Sequence, residues 1–302
     1  MYLAATNMFI DSFIGYLRVE RNCSPHTLRA YANDLRSFED YLARLDESLS
    51  FADVDADIVR SWVAELMDGG AASSSVSRKI SALRMFFNFL RSEGKVPSNP
   101  AALLQGPKRR KRLPTFVKED DMDSLLDGDA FTEGYEGSRD RMIIMCFYSA
   151  GLRLAELVGL DVKDVDLSQS VIKVLGKRAK ERVVPFGAEM KKEFEAYLEQ
   201  RSALRPETEA LFLSSKGCRI SRSSVYRLVR GLLDGFTSVH KKSPHVLRHS
   251  FATAMLNNEA ELGAVKELLG HERLATTEVY THLTFEELKR FYDKAHPRAA
   301  NN

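Results

Sequence analysis

Apolar residues recur at helical spacing in four segments of the first hundred positions. They are Phe9, Ile10, Phe13, Ile14 and Leu17; Leu28, Tyr31, Leu35, Phe38 and Leu42; Val59, Trp62, Val63 and Leu66; and Val76, Ile80, Leu83, Phe87 and Leu90. Each set falls on one stripe of a helix, so the stretch predicts a small helical bundle with its aromatics in the core. Local chemistry marks the ends. Ser24 followed by Pro25 reads as an N-cap and a first helical residue, Gly69-Gly70 stops the third helix, and Ser73 to Ser75 offer hydroxyl caps to the fourth.

Farther along the pattern changes. Helical periodicity predicts helices at about 119–127, 138–150 and 153–159, and then two short alternating runs, Ser170 to Leu175 and Arg182 to Phe186, read as a hairpin. Its turn, Gly176-Lys177-Arg178-Ala179-Lys180-Glu181, is polar and basic. Helices resume at about 187–203, 221–234, 244–257, 261–269 and 284–294, the last opened by a capping box of Thr284 with Glu287. The expected fold class is therefore mainly α (α+β): a helical bundle, then a mixed, mostly helical domain with a small antiparallel sheet.

Composition narrows the classes. With 302 residues, 44% of them hydrophobic and 28% charged, the chain can bury two ordinary cores, and neither disorder nor a fibrous repeat fits. Cys23, Cys146 and Cys218 are odd in number and widely spaced, which encodes neither a disulfide framework nor a zinc ribbon and implies a reducing compartment. The longest apolar run, Met142 to Tyr148, is far below the ~20 residues of a membrane span, and the amino terminus lacks the basic-then-apolar order of an export signal. A cytoplasmic protein without membrane insertion is expected.

The formal net charge is only +2, so a polyanionic partner must be held by local charge. Residues 1–100 carry 11 basic and 13 acidic side chains, 101–115 carry five basic and no acidic ones, and 116–302 carry 28 and 29. The basic stretch is Lys108, Arg109, Arg110, Lys111 and Arg112, between Pro107 and Pro114, which favour an extended connector over a helix. It sets the expected boundaries: a helical domain at 1–100, a basic linker at 101–115 and a second domain at 116–302. Short polar and basic groups at the start of the second helix (His26, Thr27, Arg29) and along the fourth (Ser75, Arg78, Lys79, Arg84) suit helices meeting a DNA groove. A solvated face would look much the same.

Chemistry concentrates in the second domain. In Ser243-Pro244-His245-Val246-Leu247-Arg248, a capping serine and an N1 proline start a helix that puts His245 and Arg248 three residues apart on one face. A planar guanidinium matches two phosphate oxygens and an imidazole titrates near neutrality, so the pair suits phosphoryl chemistry beside a proton transfer. Arg153, in Gly151-Leu152-Arg153-Leu154-Ala155-Glu156-Leu157, stands at an otherwise apolar helix start and calls for an anion, with Glu156 the candidate orienter. Leu268-Leu269-Gly270-His271 closes a helix on glycine, and nine residues later Tyr280 sits among hydroxyls and His282. A metal site of His245, His249 and His271 lacks the glutamate of the H-E-x-x-H pattern, because Val246 holds that place.

These segments resemble the tyrosine recombinase (phage integrase) family, and within it the bacterial Xer type, from the first helix to the carboxyl terminus. The resemblance implies a SAM-like core-binding bundle and a catalytic domain. It places the family's motif arginine on Arg153, its hairpin lysine on Lys177, its H-x-x-R pair on His245 and Arg248, its L-G-H histidine on His271 and its nucleophile on Tyr280. Two positions depart from the pattern: Arg178 replaces the glycine after the hairpin lysine, which keeps Lys180 as an alternative acid, and Ala275 replaces a serine before the threonines. The closing Phe291 to Ala299 also resembles the Xer ending.

What the resemblance implies is site-specific DNA strand transfer through a 3'-phosphotyrosyl link, with no cofactor. The implied partners are a double-stranded recombination site, a XerD-type recombinase in a heterotetramer and an FtsK-type translocase, in the resolution of chromosome dimers before division. Integration of a mobile element by the same chemistry, or a silent DNA-binding regulator, are the alternatives.

Overall fold

A computed structural model describes residues 2–107, 115–176, 181–270 and 284–299, with side chains from residue 8 onward. The chain divides into two compact units, Met1–Arg112 and Leu113–Asn302. The first holds α1 (Tyr2–Val19), α2 (Pro25–Leu45), α3 (Ala56–Asp68) and α4 (Ser73–Ser92). Ser24 caps α2 by accepting the Thr27 N–H at 3.2 Å, and Pro25 takes the first helical position. Asp55 caps α3 through the Ile58 N–H at 2.8 Å, and Gly69 ends it, followed by Gly70 at a φ of +76°.

One expected cap is corrected. Ala72 occupies the N-cap of α4 without any side-chain bond, and Ser73 lies already inside the helix. The aromatic stripes do form the core. Phe13, Phe38, Phe51, Phe86, Phe87 and Trp62 are essentially inaccessible, and Phe38 meets Trp62 edge-on at 4.9 Å while Phe51 meets Phe86 at 4.8 Å. Each such buried side chain contributes roughly 1.5–3 kcal/mol, which is why aromatic spacing alone located these helices.

The second unit contains α5 (Glu119–Asp127), α6 (Tyr135–Tyr148), α7 (Leu154–Gly159), β1 (Val165–Asp166), β2 (Val171–Leu175), β3 (Glu181–Pro185), α8 (Ala188–Ala203), α9 (Arg222–Phe236), α10 (Pro244–Asn257), α11 (Leu262–Leu269) and α12 (Phe285–Ala295). Every residue of Met142–Tyr148 is buried, so α6 is the central helix and its apolar run needs no membrane. No described helix is long and apolar enough to cross one.

The sheet has three antiparallel strands in the order β1-β2-β3, with Val171 opposite Pro185 and Leu175 opposite Glu181. The expected hairpin is β2–β3. The edge strand β1 was not expected, since two residues carry no periodicity. Ser243 holds the N-cap position of α10, but its hydroxyl makes no cap bond and is buried with no hydrogen-bond partner among the described residues, another corrected expectation. The Thr284–Glu287 capping box of α12 is present, with the Thr284 N–H donating to Glu287 at 2.8 Å.

Candidate active site

The site assembles where α7, α10, β3 and the end of α11 meet. On α10, Val246, Leu247 and Phe251 face the core, while His245 stays exposed and Arg248, one turn on, is 6% exposed. The Arg248 guanidinium donates to the carbonyls of Gly151 and, at 2.5 Å, of Leu269. Gly151 has a φ of +58°, and a Cβ there would lie 2.6 Å from the Phe251 ring, so only glycine can bring its carbonyl to that guanidinium.

Arg153 is the N-cap of α7. Its backbone N–H donates to Glu156 Oε2 at 2.8 Å, its Nη1 to Glu156 Oε1 at 2.6 Å, and its Nη2 to the Gly270 carbonyl at 2.8 Å. Although it stands at an otherwise apolar helix start, this guanidinium is not buried: the side chain is 39% exposed. Glu156, the candidate orienter, is 4% exposed and accepts both of these Arg153 bonds.

A third arginine, not singled out from the sequence, completes the cluster. Arg182, the second residue of β3, donates both terminal nitrogens to Glu156 at 2.8 Å and its Nε to the Leu268 carbonyl at 3.0 Å. Three consecutive carbonyls at the end of α11 thus each accept from a different arginine: Leu268 from Arg182, Leu269 from Arg248 and Gly270 from Arg153. These are the carbonyls that a helix end leaves unsatisfied. Gly270 closes α11 at a φ of +62°. The one signal for Arg182 was a cation in a strand otherwise read as alternating.

Three guanidiniums around one carboxylate leave the site strongly positive. Burial alone would push the Glu156 carboxyl up, but the hydrogen bonds and charge of Arg182, followed by the backbone and side-chain hydrogen bonds of Arg153, bring it down to about 2. Burial, then the neighbouring Arg153 charge, pulls Arg248 down to about 9, which leaves it charged at neutral pH. Partial desolvation of its ring, then the charges of Arg248 and Lys241, lowers His245 below its ordinary value, which favours the neutral imidazole that can take a proton. Among the described residues no group of three His, Cys, Asp or Glu side chains could hold a metal ion. Lys177, its alternative Lys180, His271 and Tyr280 lie outside the described residues, although His271 follows Gly270 directly in the chain.

The proposed groove-facing residues divide. His26, Arg29 and Arg78 are exposed, Ser75 is half-buried, and Thr27 shares a 2.9 Å hydroxyl contact with the capping Ser24. Arg78 pairs with buried Asp34. Two residues are corrected. Lys79 lies 3.6 Å from Asp34 and 5.3 Å above the Trp62 ring, only 15% exposed, and Arg84 binds the carbonyls of Ala101 and Leu104 at 3.2 and 2.7 Å. Neither is a solvent-facing cation, because each packs against its own unit. Lys108, Arg109, Arg110, Lys111 and Arg112 lie outside the described residues.

Comparison with known proteins covers nearly the whole chain. The family model described as "Phage integrase family" matches residues 115–287, and the "Phage integrase, N-terminal SAM-like domain" matches residues 10–94. A tyrosine recombinase XerC of Pelobacter propionicus is 42% identical over 291 residues, spanning 96% of this chain and 95% of that protein. One of Haemophilus influenzae is 40% identical over 299 residues, spanning 98% of each. Among solved structures, a XerH site-specific recombinase bound to a palindromic difH substrate, a post-cleavage complex, aligns with a TM-score of 0.69 at 24% identity, covering 90% of this chain and 81% of that one. The Tn1549 transposon integrase in complex with circular intermediate DNA aligns with a TM-score of 0.69 at 20% identity, covering 93% and 98%. These two likenesses speak for the fold.

Proposed function

This chain belongs to the phage integrase family, the tyrosine recombinases, and from that premise we propose that it is a XerC-type enzyme that cuts and rejoins DNA at a defined site through a covalent tyrosine link. The observation that carries the reading is the pair Arg153 and Arg248, fixed by Glu156 and by the end of α11 beside His245, whose neutral form is favoured.

The roles follow from that geometry and the family motif. Tyr280 attacks the phosphorus, its proton passing to His245, and the bond from phosphorus to the 5'-oxygen breaks as Lys177 protonates the departing oxygen. Lys180 is the alternative acid. Arg153 and Arg248 hold the non-bridging oxygens as charge builds, an electrostatic task in which one positioned arginine contributes ~10³ to 10⁵ in rate in other phosphoryl transfers. His271 hydrogen-bonds the same phosphate. The product is a 3'-phosphotyrosyl link and a free 5'-hydroxyl, and attack by another strand's 5'-hydroxyl reverses the step, so no energy source is consumed.

The first unit, residues 1–100, acts as the core-binding domain and the second, residues 116–302, as the catalytic domain. His26, Arg29 and Arg78 contact the duplex from the first unit, and Lys108 to Arg112 neutralise phosphates from the linker at 101–115. The biological reading is resolution of chromosome dimers at a dif-like site in the cytoplasm, with a XerD-type partner in a heterotetramer and an FtsK-type translocase. It rests on the XerC names of the relatives.

A nicked dif-like duplex, which loses the strand needed for religation, tests the chemistry. The expected result is a protein–DNA adduct that survives boiling in detergent, absent in Tyr280→Phe, which still binds the duplex. An adduct that persists in Tyr280→Phe, or none with the unaltered chain, sinks the proposal.

A further inference from the structure

We infer that Arg182 is a positioning residue for DNA cleavage: from β3, through Glu156 and the Leu268 carbonyl, it sets the geometry of the Arg153–Arg248 pair. The inference rests on the recombinase reading above and goes beyond it, because no role in the reaction falls to β3 otherwise.

The side chain is 14% exposed, so it does not present itself to a bound duplex. Its fork meets both oxygens of Glu156 at 2.8 Å, a bidentate geometry that a lysine cannot reproduce. Each of those oxygens also serves Arg153: Oε1 accepts its Nη1, and Oε2 its backbone N–H. Rotating the carboxylate would therefore move the guanidinium of Arg153 and the start of α7 together. Oε2 lies 3.8 Å from Arg248, a looser contact that the same rotation would alter.

The Nε bond to Leu268 adds a second line of control. A Cβ on Gly270 would lie 3.2 Å from Arg182 Cδ and 3.3 Å from its Nε, so the arginine packs directly against the turn that closes α11. That turn supplies the carbonyls held by Arg153 and Arg248. Both phosphate-binding candidates are thus braced twice against Arg182, once through Glu156 and once through α11. A merely structural ion pair would hold the unit together without favouring the cleavage step.

The two roles separate on a saturating nicked dif-like duplex, in adduct formation and in binding. Arg182→Lys keeps the charge and loses the fork. Its adduct rate is expected to fall by about 10- to 100-fold, the range in which outer-shell partners act, while affinity for the duplex stays within about threefold. Combined with Glu156→Gln, the loss is expected to be no greater than the larger single loss, because the two residues act as one unit. The deficit is expected to persist on a duplex whose departing 5'-oxygen is replaced by sulfur, a leaving group that needs no acid, whereas the deficit of Lys177→Ala is expected to disappear there.

Cleavage by Arg182→Lys at the rate of the unaltered chain overturns the inference, as do fully multiplicative losses in the double variant. Recovery on the sulfur substrate also overturns it, by assigning Arg182 to protonation of the leaving group. If Arg182→Lys does not fold, Arg182→Gln serves the same comparison, and if neither folds the residue is structural and the inference falls. An unaltered chain that forms no adduct overturns the recombinase reading itself, a distinct outcome.

Discussion

Each unit buries a carboxylate among cations, and the two respond in opposite directions. Asp34 in the first unit and Glu156 in the second have side chains only 3% and 4% exposed. Burial pushes Asp34 up, and neither Arg78 nor Lys79 brings it back to its ordinary value. Burial pushes Glu156 up as well, yet it ends at about 2.

The difference is the number and geometry of donors. Glu156 accepts four hydrogen bonds of 2.6–2.8 Å, from the Arg182 fork and from the backbone and side chain of Arg153. Asp34 has Arg78, which remains 43% exposed, and Lys79 at 3.6 Å. A carboxylate gains from cations in proportion to how well they are aligned and desolvated with it, not to how many are nearby. Glu156 is a permanent anion that arranges arginines. Asp34 has one direct guanidinium bond, from Arg78, and only a 3.6 Å ammonium contact from Lys79, too little to offset its burial.

The widest separation between the two should come from neutralising each carboxylate. Glu156→Gln leaves guanidiniums without their anion and is expected to cost about 3–5 kcal/mol in urea unfolding of the second unit. It is expected to lower adduct formation on the order of 10²-fold. An unfolding midpoint within error of the unaltered protein would place Glu156 on the same footing as Asp34.

Acid gives the next largest effect. His296 is buried against Tyr292 and Phe251, and burial brings it down to about 4 from an unfolded value near 6.5. Between those values the unfolded chain binds the extra proton, so this contribution to stability is present above pH 6.5 and lost as pH falls toward 4. At pH 5 the loss is on the order of 2 kcal/mol. Glu156 follows the same sign lower down: its contribution is present above its unfolded value of 4.5 and disappears as pH falls toward 2. Asp34, shifted upward, makes the opposite contribution to the first unit. Separate melting of the two units at pH 7 and pH 5 checks this, and removal of the acid effect by His296→Phe identifies its source.

A smaller effect is expected from the linker, whose five cations have no acidic residue in their own stretch. Replacing Lys108 to Arg112 with alanine is expected to weaken duplex binding by about tenfold at physiological salt and to flatten the slope of log affinity against log salt by up to ~4. An unchanged slope reduces the stretch to a hinge. The smallest effect is expected from Asp34→Asn, which removes a carboxylate that burial disfavours. Stability should be unchanged or higher by less than about 1 kcal/mol, and duplex binding slightly tighter as Arg78 is released. A loss comparable with that of Glu156→Gln would erase the contrast.

The sequence by itself determined the elements and the chemical inventory. Helical stripes, Ser24-Pro25, Gly69-Gly70 and the Thr284–Glu287 box are local signals, encoded within one or two turns, and the described helices begin and end close to where they point. Arg153, Glu156, His245 and Arg248 stood out by residue type and local spacing, and the family resemblance, not the spacing, implied the roles of Arg153, His245 and Arg248. Only the tertiary structure decided what each charge faces. It sent Lys79 onto Trp62 and Arg84 onto the carbonyls of Ala101 and Leu104, against the expectation of an exposed row, and it revealed Arg182, which lies 26 residues from its Glu156 partner and 86 from Leu268. A propensity or a cap is a property of neighbours in sequence. The partner of a guanidinium is chosen by desolvation and alignment between segments far apart in the chain, and those exist only once the chain has folded.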